Sequence, residues 1–190
     1  MTEKIKAFIL DLDGVITDTA EFHFKAWKKM ADEEGIPFDR EDNEKLRGVS
    51  RRKSMELILD GREMEEEKIQ ELMDRKNRYY NESLKQLSKD DLLPGAAELI
   101  DEIKERDYKI AVASSSRNAK TVITYLGIGD LFETISDGHS VENSKPAPDL
   151  FLHTADELEI EAEKCVVIED AESGIEGALA ANMVAVGVGP

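Results

Sequence analysis

Short apolar runs alternate with amphipathic stretches along most of this sequence, and that alternation restricts the possible fold more than any other feature. Residues 5–12 are predicted to form a buried first strand. After residue 92, the pattern predicts helices at 96–106, 118–126, 149–158 and 172–181 and strands at 108–114, 132–136, 164–169 and 183–188. Strands that alternate with helices of about ten residues build a parallel sheet. We therefore predict an α/β fold with a Rossmann-like parallel sheet and helices on both faces.

A charged segment, residues 20–88, interrupts the alternation and carries only helical patterns. Its apolar positions recur at spacings of three and four residues, which is typical of amphipathic helices. Three stripes follow this spacing: Phe22, Trp27, Met30 and Ala31; Met55, Ile58 and Leu59; and Ile69, Leu72, Met73, Lys76 and Tyr80. We predict a core formed by residues 1–16 and 92–190, an inserted helical cap at 17–91, and hinges at 14–19 and 89–95.

The charge of the chain argues against several classes of partner. The formal net charge is −17 over 190 residues, so attraction to nucleic acid or to an acidic membrane is not expected. No run of 18 apolar residues and no secretory leader is visible, and the single Cys165 lies in an apolar run typical of a buried thiol. We expect a cytoplasmic protein, a monomer, with a small-molecule substrate.

Polar side chains suited to chemistry follow four of the predicted strands. In an open parallel sheet, ligands bind outside the carboxyl ends of the strands. Carboxylates suit Mg²⁺, and a hydroxyl-rich turn that leads into a helix suits an anion. The residues at these four ends are Asp11, Asp13 and Gly14; Ser114, Ser115 and Ser116; Lys145; and Glu169 with Asp170.

Each of these groups also has a simpler interpretation. An Asp-x-Asp-Gly stretch is commonly a loop with a turn glycine, and Ser116 is a candidate helix cap. Glu169 and Asp170 are compatible with a solvated strand end, and Lys145 with a surface lysine. These interpretations do not explain why the groups arrive in order at successive strand ends. We therefore predict one shared site for a metal and a phosphate.

The strand-end residues resemble those of the haloacid dehalogenase superfamily of phosphotransferases. The resemblance rests on Asp11 to Val15 (DLDGV) with the later Ser114, Lys145 and Glu169-Asp170, and it extends to the helical cap. Three segments are similar to the β-phosphoglucomutase family: 11–23 (DLDGVITDTAEFH), 46–51 (LRGVSR) and 144–149 (SKPAPD). The resemblance implies a phosphosugar mutase that interconverts β-D-glucose 1-phosphate and glucose 6-phosphate through a 1,6-bisphosphate.

The resemblance also implies a role for each strand-end residue. Asp11 would be the nucleophile that becomes an aspartyl phosphate, and Asp13 would pass protons to and from sugar oxygens. Ser114 and Lys145 would bind the oxygens of the transferring phosphoryl group. The implied cofactor is Mg²⁺, with four ligand residues: Asp11, Asp13 through its main-chain carbonyl, Glu169 and Asp170.

The cap and the turn after the second strand are expected to bind the rest of the substrate. Arg51 is the candidate for the distal, non-reacting phosphate, because a guanidinium matches phosphate with paired hydrogen bonds. Thr19 and His23 resemble residues that couple cap closure to the placement of Asp13; the alternatives are helix capping and packing. Lys76 is a candidate sugar ligand or a lysine on a solvated face. The remaining candidates are Arg47, Gly48, Val49, Ser50, Ser115, Ser116, Arg117 and Asn118.

The chain departs from the family pattern in two respects. Arg47 and Arg117 stand where close relatives often carry lysine, and relatives usually continue beyond the position of Pro190. Two competing functions are a phosphatase of the same fold, in which water takes the phosphoryl group from Asp11, and a non-catalytic sugar-phosphate sensor. Arg51 favours a mutase over a phosphatase, and the pairing of Asp11 with Asp13 favours an enzyme over a sensor.

Overall fold

The computed structural model describes residues 5–46 and 50–189, and it contains the predicted parallel sheet. The five strands are β1 (Ala7–Leu10), β2 (Lys109–Ala113), β3 (Thr134–Ser136), β4 (Cys165–Glu169) and β5 (Val184–Gly187). The α-helices of the described chain are α1 (Ala20–Glu33), α2 (Arg40–Glu44), α3 (Arg51–Leu59), α4 (Glu66–Leu84), α5 (Ala96–Glu105), α6 (Ala119–Leu126), α7 (Asp149–Glu157) and α8 (Glu172–Ala180). The predicted strands are slightly too long at their ends, where residues leave the ladder for turns.

The strands lie in the order β3-β2-β1-β4-β5, and every neighbouring pair is parallel. β1 lies at the centre, with Ala7 opposite Lys109 of β2 and opposite Cys165 of β4. The chain moves outward from β1 in both directions, so the carboxyl ends of β2, β1 and β4 are neighbours at one edge. This edge is where the predicted site residues begin.

Helices pack on both faces of the sheet. On one face, Phe151 of α7 and Ala178 of α8 are buried with Ile9 and Val167 in a single apolar cluster. On the other side, α5 and α6 pack against β2 and β3. A parallel sheet needs this double cover because its strands are apolar on both faces. The predicted fold class is confirmed.

The chain divides into two compact units. One consists of the residues up to Asp18 together with those from Leu87 onward, and the other is Thr19–Gln86. In the second unit α1 packs on α4, and the predicted stripes provide much of the buried cluster. That cluster contains Trp27, Met30, Ala31, Ile36, Phe38, Met55, Ile58, Leu59, Ile69, Leu72 and Met73. We call Thr19–Gln86 the helical unit and the remainder the α/β unit.

The two connections that carry the predicted hinges are hydrogen-bonded to each other. The hydroxyl of Thr17 donates to the main-chain carbonyl of Asp91 at 2.7 Å, and Leu93 N donates to the carbonyl of Ile16 at 2.9 Å. These bonds attach residues 16–17 and 91–93 to the α/β unit. The helical unit, Thr19–Gln86, begins two residues later and ends five residues earlier than the predicted cap at 17–91.

Within residues 5–46 and 50–189, strand β5 lies at one edge of the sheet. Val184 and Val186 are exposed, and a side chain at Gly187 would meet Ile175 of α8. Because successive side chains alternate between faces, the two valines point away from α8. In the described residues, no helix has both the length and the apolar character needed to span a membrane.

Candidate active site

Predicted site residues occupy the carboxyl edge of the sheet because their strands end there. Asp11 directly follows β1, Ser114 directly follows β2, and Glu169 is the last residue of β4. The ladder continues briefly past β1, since Asp11 N donates to the carbonyl of Ile168 at 2.9 Å. Asp11, Ser114 and Glu169 are each less than 7% exposed. The ends of the strands thus hold these polar side chains at fixed, buried positions.

Lys145 joins two of these acids. Its Nζ donates to Asp11 Oδ1 at 2.6 Å, to Glu169 Oε2 at 2.7 Å and to the carbonyl of Ala113 at 3.0 Å. Lys145 is buried, and its ammonium also lies 4.9 Å from the centre of the Phe151 ring. The alternative that Lys145 is a surface lysine is wrong. The three donated bonds use all three protons of the ammonium.

Glu169 is held from two sides. Its Oε2 accepts from Lys145, and its Oε1 accepts from the backbone N–H groups of Asp170 and Ala171 at 3.2 Å each. Gly174 of α8 packs so closely that a Cβ there would lie 2.0 Å from Oε2 of Glu169. Glu169 is 1% exposed, so the solvated-strand-end alternative is wrong for this residue. The interpretation as a solvated strand end fits Asp170, because Asp170 is exposed.

Burial and neighbouring negative charge raise the pKa of two acids at this edge. Burial raises the pKa of Asp11 against the opposing effect of Lys145, and Glu169 raises it further. Partial burial and the charge of Asp11 raise the pKa of Asp170, with a smaller contribution from Asp13. Burial opposes the charge on Lys145, but Asp11 and Glu169 outweigh burial and raise the pKa of the lysine. One cation among four acids leaves a site that attracts a further cation.

The acids at this edge fit a hard metal ion. Asp11, Glu169 and Asp170 each offer a carboxylate oxygen, and these oxygens all lie within 4.8 Å of one another. Gly14, with φ of 85°, turns the chain after Asp13 so closely to Asp170 that a Cβ would lie 2.1 Å from its Oδ2. An all-oxygen donor set of this kind suits Mg²⁺, which keeps several waters.

The turn after β2 presents hydroxyls and amides. Ser114 is 3% exposed, and its Oγ accepts from Ser116 N at 3.1 Å. The Ser116 hydroxyl accepts from Asn118 N at 3.2 Å, but α6 begins at Ala119 with Asn118 at the N-cap position. Ser116 is therefore a turn residue two positions before the cap. Ser115 is half-buried and Arg117 is exposed.

In the helical unit, Arg51 begins α3 and donates to Asn77 Oδ1 of α4 at 2.8 Å. Ser50 is the N-cap of α3, and its hydroxyl accepts from Lys53 N at 3.2 Å. The predicted substrate-binding residues Arg47, Gly48 and Val49 lie outside the described residues.

Lys76 and His23 meet inside the helical unit. Lys76 is 2% exposed, and its Nζ lies 2.7 Å from Nδ1 of His23, so the alternative of a solvated-face lysine is wrong. Thr19 precedes α1 without a side-chain capping bond; instead its hydroxyl accepts from Tyr80 at 3.0 Å. Capping is therefore not the role of the Thr19 side chain.

Three residues that contact predicted site residues were not predicted from the sequence. Tyr80 and Asn77 lie on α4, where helical spacing assigned Tyr80 to the core and gave no signal for Asn77. Gly174 has no turn to mark it, because it lies inside α8. A glycine in the interior of a helix close to an acidic strand end is a usable signal, since glycine there costs about 1 kcal/mol relative to alanine.

Comparisons with known proteins identify the family of this chain. The family model of haloacid dehalogenase-like hydrolases matches residues 5–182. β-Phosphoglucomutase of Bacillus subtilis is 49% identical over 189 residues, covering 97% of this chain and 84% of the relative. Fructose-1-phosphate phosphatase of Escherichia coli is 29% identical over 192 residues, covering 99% of this chain and 98% of the relative.

A solved structure extends the likeness to three dimensions. The crystal structure of β-phosphoglucomutase from Clostridium difficile matches with a TM-score of 0.91 and 42% identity, covering 98% of this chain and 85% of that one. The family match spans β1 through the end of α8 and so includes every acid of the site. This enzyme is similar to the β-phosphoglucomutases, and the chain belongs to the haloacid dehalogenase-like hydrolase family.

Proposed function

We propose that this protein is a phosphosugar mutase that interconverts β-D-glucose 1-phosphate and glucose 6-phosphate through an aspartyl-phosphate enzyme and a 1,6-bisphosphate. The observation that carries the proposal is the contact of Lys145 with both Asp11 and Glu169 at the carboxyl edge of the sheet. A buried ammonium against a buried carboxylate places a nucleophile beside a group that binds phosphoryl oxygens. The likeness to the β-phosphoglucomutases of B. subtilis and C. difficile supports the same substrate.

In the proposed reaction, a carboxylate oxygen of Asp11 attacks the phosphorus of the bisphosphate. A P–O bond to Asp11 forms while the bond to the sugar oxygen breaks, and Asp13 gives that oxygen its proton. When the 1-phosphoryl group has been transferred, glucose 6-phosphate leaves and β-glucose 1-phosphate binds. Its 6-hydroxyl attacks the aspartyl phosphate and loses its proton to Asp13, the bond from phosphorus to Asp11 breaks, and the 1,6-bisphosphate is formed again. One glucose 1-phosphate has then become glucose 6-phosphate, and Asp11 and Asp13 have returned to their starting states.

The α/β unit supplies the remaining contacts to the reacting group. Ser114 and Lys145 would bind its oxygens, and the hydroxyls and amides of 115–118 would bind a second phosphate. Mg²⁺, held by Asp11, Glu169, Asp170 and the main-chain carbonyl of Asp13, would offset the charge that repels a carboxylate from a phosphate. Lys145 has the complementary role of keeping Asp11 ionised and aimed.

The helical unit would recognise the part of the substrate that does not react. Arg51 is already oriented by Asn77, so less side-chain entropy is lost when it binds a distal phosphate. Binding energy from that phosphate can be used to exclude water from the aspartyl phosphate. Lys76, His23 and Thr19 are proposed to contact the sugar or to place the groups that do.

A phosphatase of the same fold is the second candidate, and the similar E. coli fructose-1-phosphate phosphatase is the observation that favours it. The two functions differ in whether a sugar hydroxyl or water accepts the phosphoryl group. A non-catalytic sensor is disfavoured, since binding alone requires no Asp13 beside Asp11.

Product analysis tests the proposal. The protein is incubated with β-glucose 1-phosphate, Mg²⁺ and a trace of β-glucose 1,6-bisphosphate, and both glucose 6-phosphate and free phosphate are measured. Glucose 6-phosphate as the main product supports the mutase. Free phosphate as the main product supports the phosphatase, and a lack of turnover by a folded protein supports the sensor. Asp11→Asn should remove turnover of either kind.

A further inference from the structure

Tyr80 contacts two of the predicted substrate-binding residues at once. It lies on α4 and is fully buried. Its hydroxyl donates to Thr19 Oγ1 at 3.0 Å, and its ring stacks on His23 with centroids 4.0 Å apart and an angle of 25°. A residue that only filled the apolar core would need no hydroxyl, because burying one without a partner is costly. Here the hydroxyl is used.

Lys76 is a third neighbour of Tyr80. Its Nζ lies 4.8 Å from the centroid of the Tyr80 ring and 4.8 Å from that of Trp27, so the two rings flank the ammonium. Aromatic faces attract a cation, and the attraction grows when water is removed. The rings therefore hold the head of Lys76 in the position where it reaches His23.

The contact between Lys76 and His23 fixes the state of the imidazole. An ammonium can only donate, so Nδ1 of His23 accepts from Lys76 and the ring proton lies on Nε2. Partial burial of the ring lowers the pKa of His23 well below its usual range, and the charges of Lys76 and Arg51 lower it further. His23 is thus a neutral donor through Nε2.

We propose that Tyr80 is a positioning residue for the mutase reaction: its ring fixes the orientation of His23 and Lys76, and its hydroxyl fixes Thr19. This inference rests on the proposed function for the assignment of His23, Lys76 and Thr19 to the substrate. The arrangement inside the helical unit can be tested separately. Tyr80 acts through its neighbours, so its effect is expected on the reaction rate and on the state of His23.

Two variants separate the ring from the hydroxyl. Tyr80→Phe keeps the ring and removes the bond to Thr19, whereas Tyr80→Leu removes both. Tyr79→Phe is the matched control, because it makes the same chemical change one residue earlier on α4, where the hydroxyl donates to Glu33 on the surface. Thermal unfolding of all variants establishes that each is folded under the assay conditions.

The first measurement is an NMR titration of the His23 imidazole in the full chain, with its signals identified by their loss in His23→Gln. The parent and Tyr80→Phe are expected to show the Nε2-protonated neutral ring far into the acidic range. In Tyr80→Leu, the half-buried imidazole loses the ring stacked on it and becomes more exposed to water, so the pKa of His23 should rise toward its ordinary value. Titration of His23 at the same pH in Tyr80→Leu as in the parent overturns the proposal.

The second measurement is steady-state mutase kinetics. Tyr80→Leu should lower kcat by about 10- to 100-fold, as expected when reacting groups are slightly misplaced. Tyr80→Phe should lose less, and Tyr79→Phe should match the parent. Equal rates for Tyr80→Leu and the parent overturn the positioning role, whereas a parent that makes free phosphate refutes the mutase without changing the NMR result.

Discussion

Nζ of Lys145 lies 2.6 Å from Oδ1 of Asp11, although 134 residues separate the two in the sequence. Both side chains are less than one tenth exposed. The same ammonium holds Glu169, so the carboxyl ends of β1 and β4 are joined by one buried cation. A charge in this position stabilises its partners and depends on them, because each would be costly to bury alone.

Lys145→Met is therefore expected to destabilise the protein strongly. The substitution keeps the volume of the side chain but leaves Asp11 and Glu169 buried without their cation, and the loss of one partner of a buried pair costs about 3–5 kcal/mol. The free energy of unfolding, measured with urea in EDTA at neutral pH, checks this. Lys25→Met, at an exposed position, is the control and should change stability little. A loss below about 1 kcal/mol in Lys145→Met would contradict the buried-pair interpretation.

Magnesium should stabilise the protein through Asp170. A ligand that binds only the folded state at about 100 times its Kd adds about 2.7 kcal/mol, or roughly 5–10 °C in Tm for a chain of this size. Asp170→Asn removes one of the repelling acids, so the metal-free variant should melt at or above the parent temperature and respond little to Mg²⁺. Differential scanning fluorimetry measures both quantities. Asp101→Asn, on the exposed side of α5, should respond like the parent; an undiminished response of Asp170→Asn would remove that residue from the metal site.

Gly174→Ala should displace the carboxylate of Glu169. A Cβ at this position would lie 2.0 Å from Oε2 of Glu169, so the carboxylate must shift away from Lys145. We expect a net loss of about 1–3 kcal/mol, although alanine is by itself the better helix former. Gly187→Ala is the control, since its nearest contact would be 3.9 Å away. Urea unfolding and the Mg²⁺ response measure the effect, and a stabilised Gly174→Ala would show that the glycine is not needed.

Arg51→Ala should distinguish recognition of the distal phosphate from chemistry at the reacting phosphate. If Arg51 binds the distal phosphate, its loss should reduce kcat/KM of the mutase about 10- to 100-fold, the range for hydrogen bonds to a charged group. Hydrolysis of p-nitrophenyl phosphate, which has no second phosphate, should be unaffected. Arg52→Ala is the matched control, because Arg52 pairs with Glu56 and Glu66 on the surface. Equal loss of both activities in Arg51→Ala would end its assignment to the distal phosphate.

His23 should make stability depend on pH. Its pKa is lower in the folded than in the unfolded protein, so between those two values the unfolded chain binds more protons. Stability from this group is fully present above the ordinary histidine pKa of about 6.5 and is lost as the pH falls through that window. Urea unfolding between about pH 7 and pH 5 should show a steeper loss for the parent than for His23→Gln. Parallel curves would show that His23 does not carry the effect.

The sequence was sufficient to predict which polar residues follow each strand, but not which of these residues contact one another. Apolar runs place β1 and β4 reliably, because a buried parallel strand has few alternatives. That Lys145 reaches both Asp11 and Glu169 depends on a loop after β3 whose path no local pattern specifies. Lys145 was predicted to join the site from its position after the third strand, and that position does not specify the acids that its ammonium contacts.

The helical unit shows a different limit. The apolar stripe through Ile69, Leu72 and Tyr80 correctly predicts one buried face of α4. Helical spacing does not distinguish a lysine that snorkels to water from one held by rings and an imidazole, so the burial of Lys76 could not be predicted. The difference lies in Trp27 and His23, which come from another helix and depend on the tertiary packing.

Strand β5 has a consequence for the behaviour of the protein at high concentration. Among the described residues β5 has a paired strand on one side only, and its two valines are exposed, so another extended chain can pair along the other side. The charge of −17 makes molecules repel one another, and this repulsion protects the strand as long as salt does not screen it. Self-association should therefore increase with ionic strength, which makes low-salt buffers the better choice for storage and for spectroscopy.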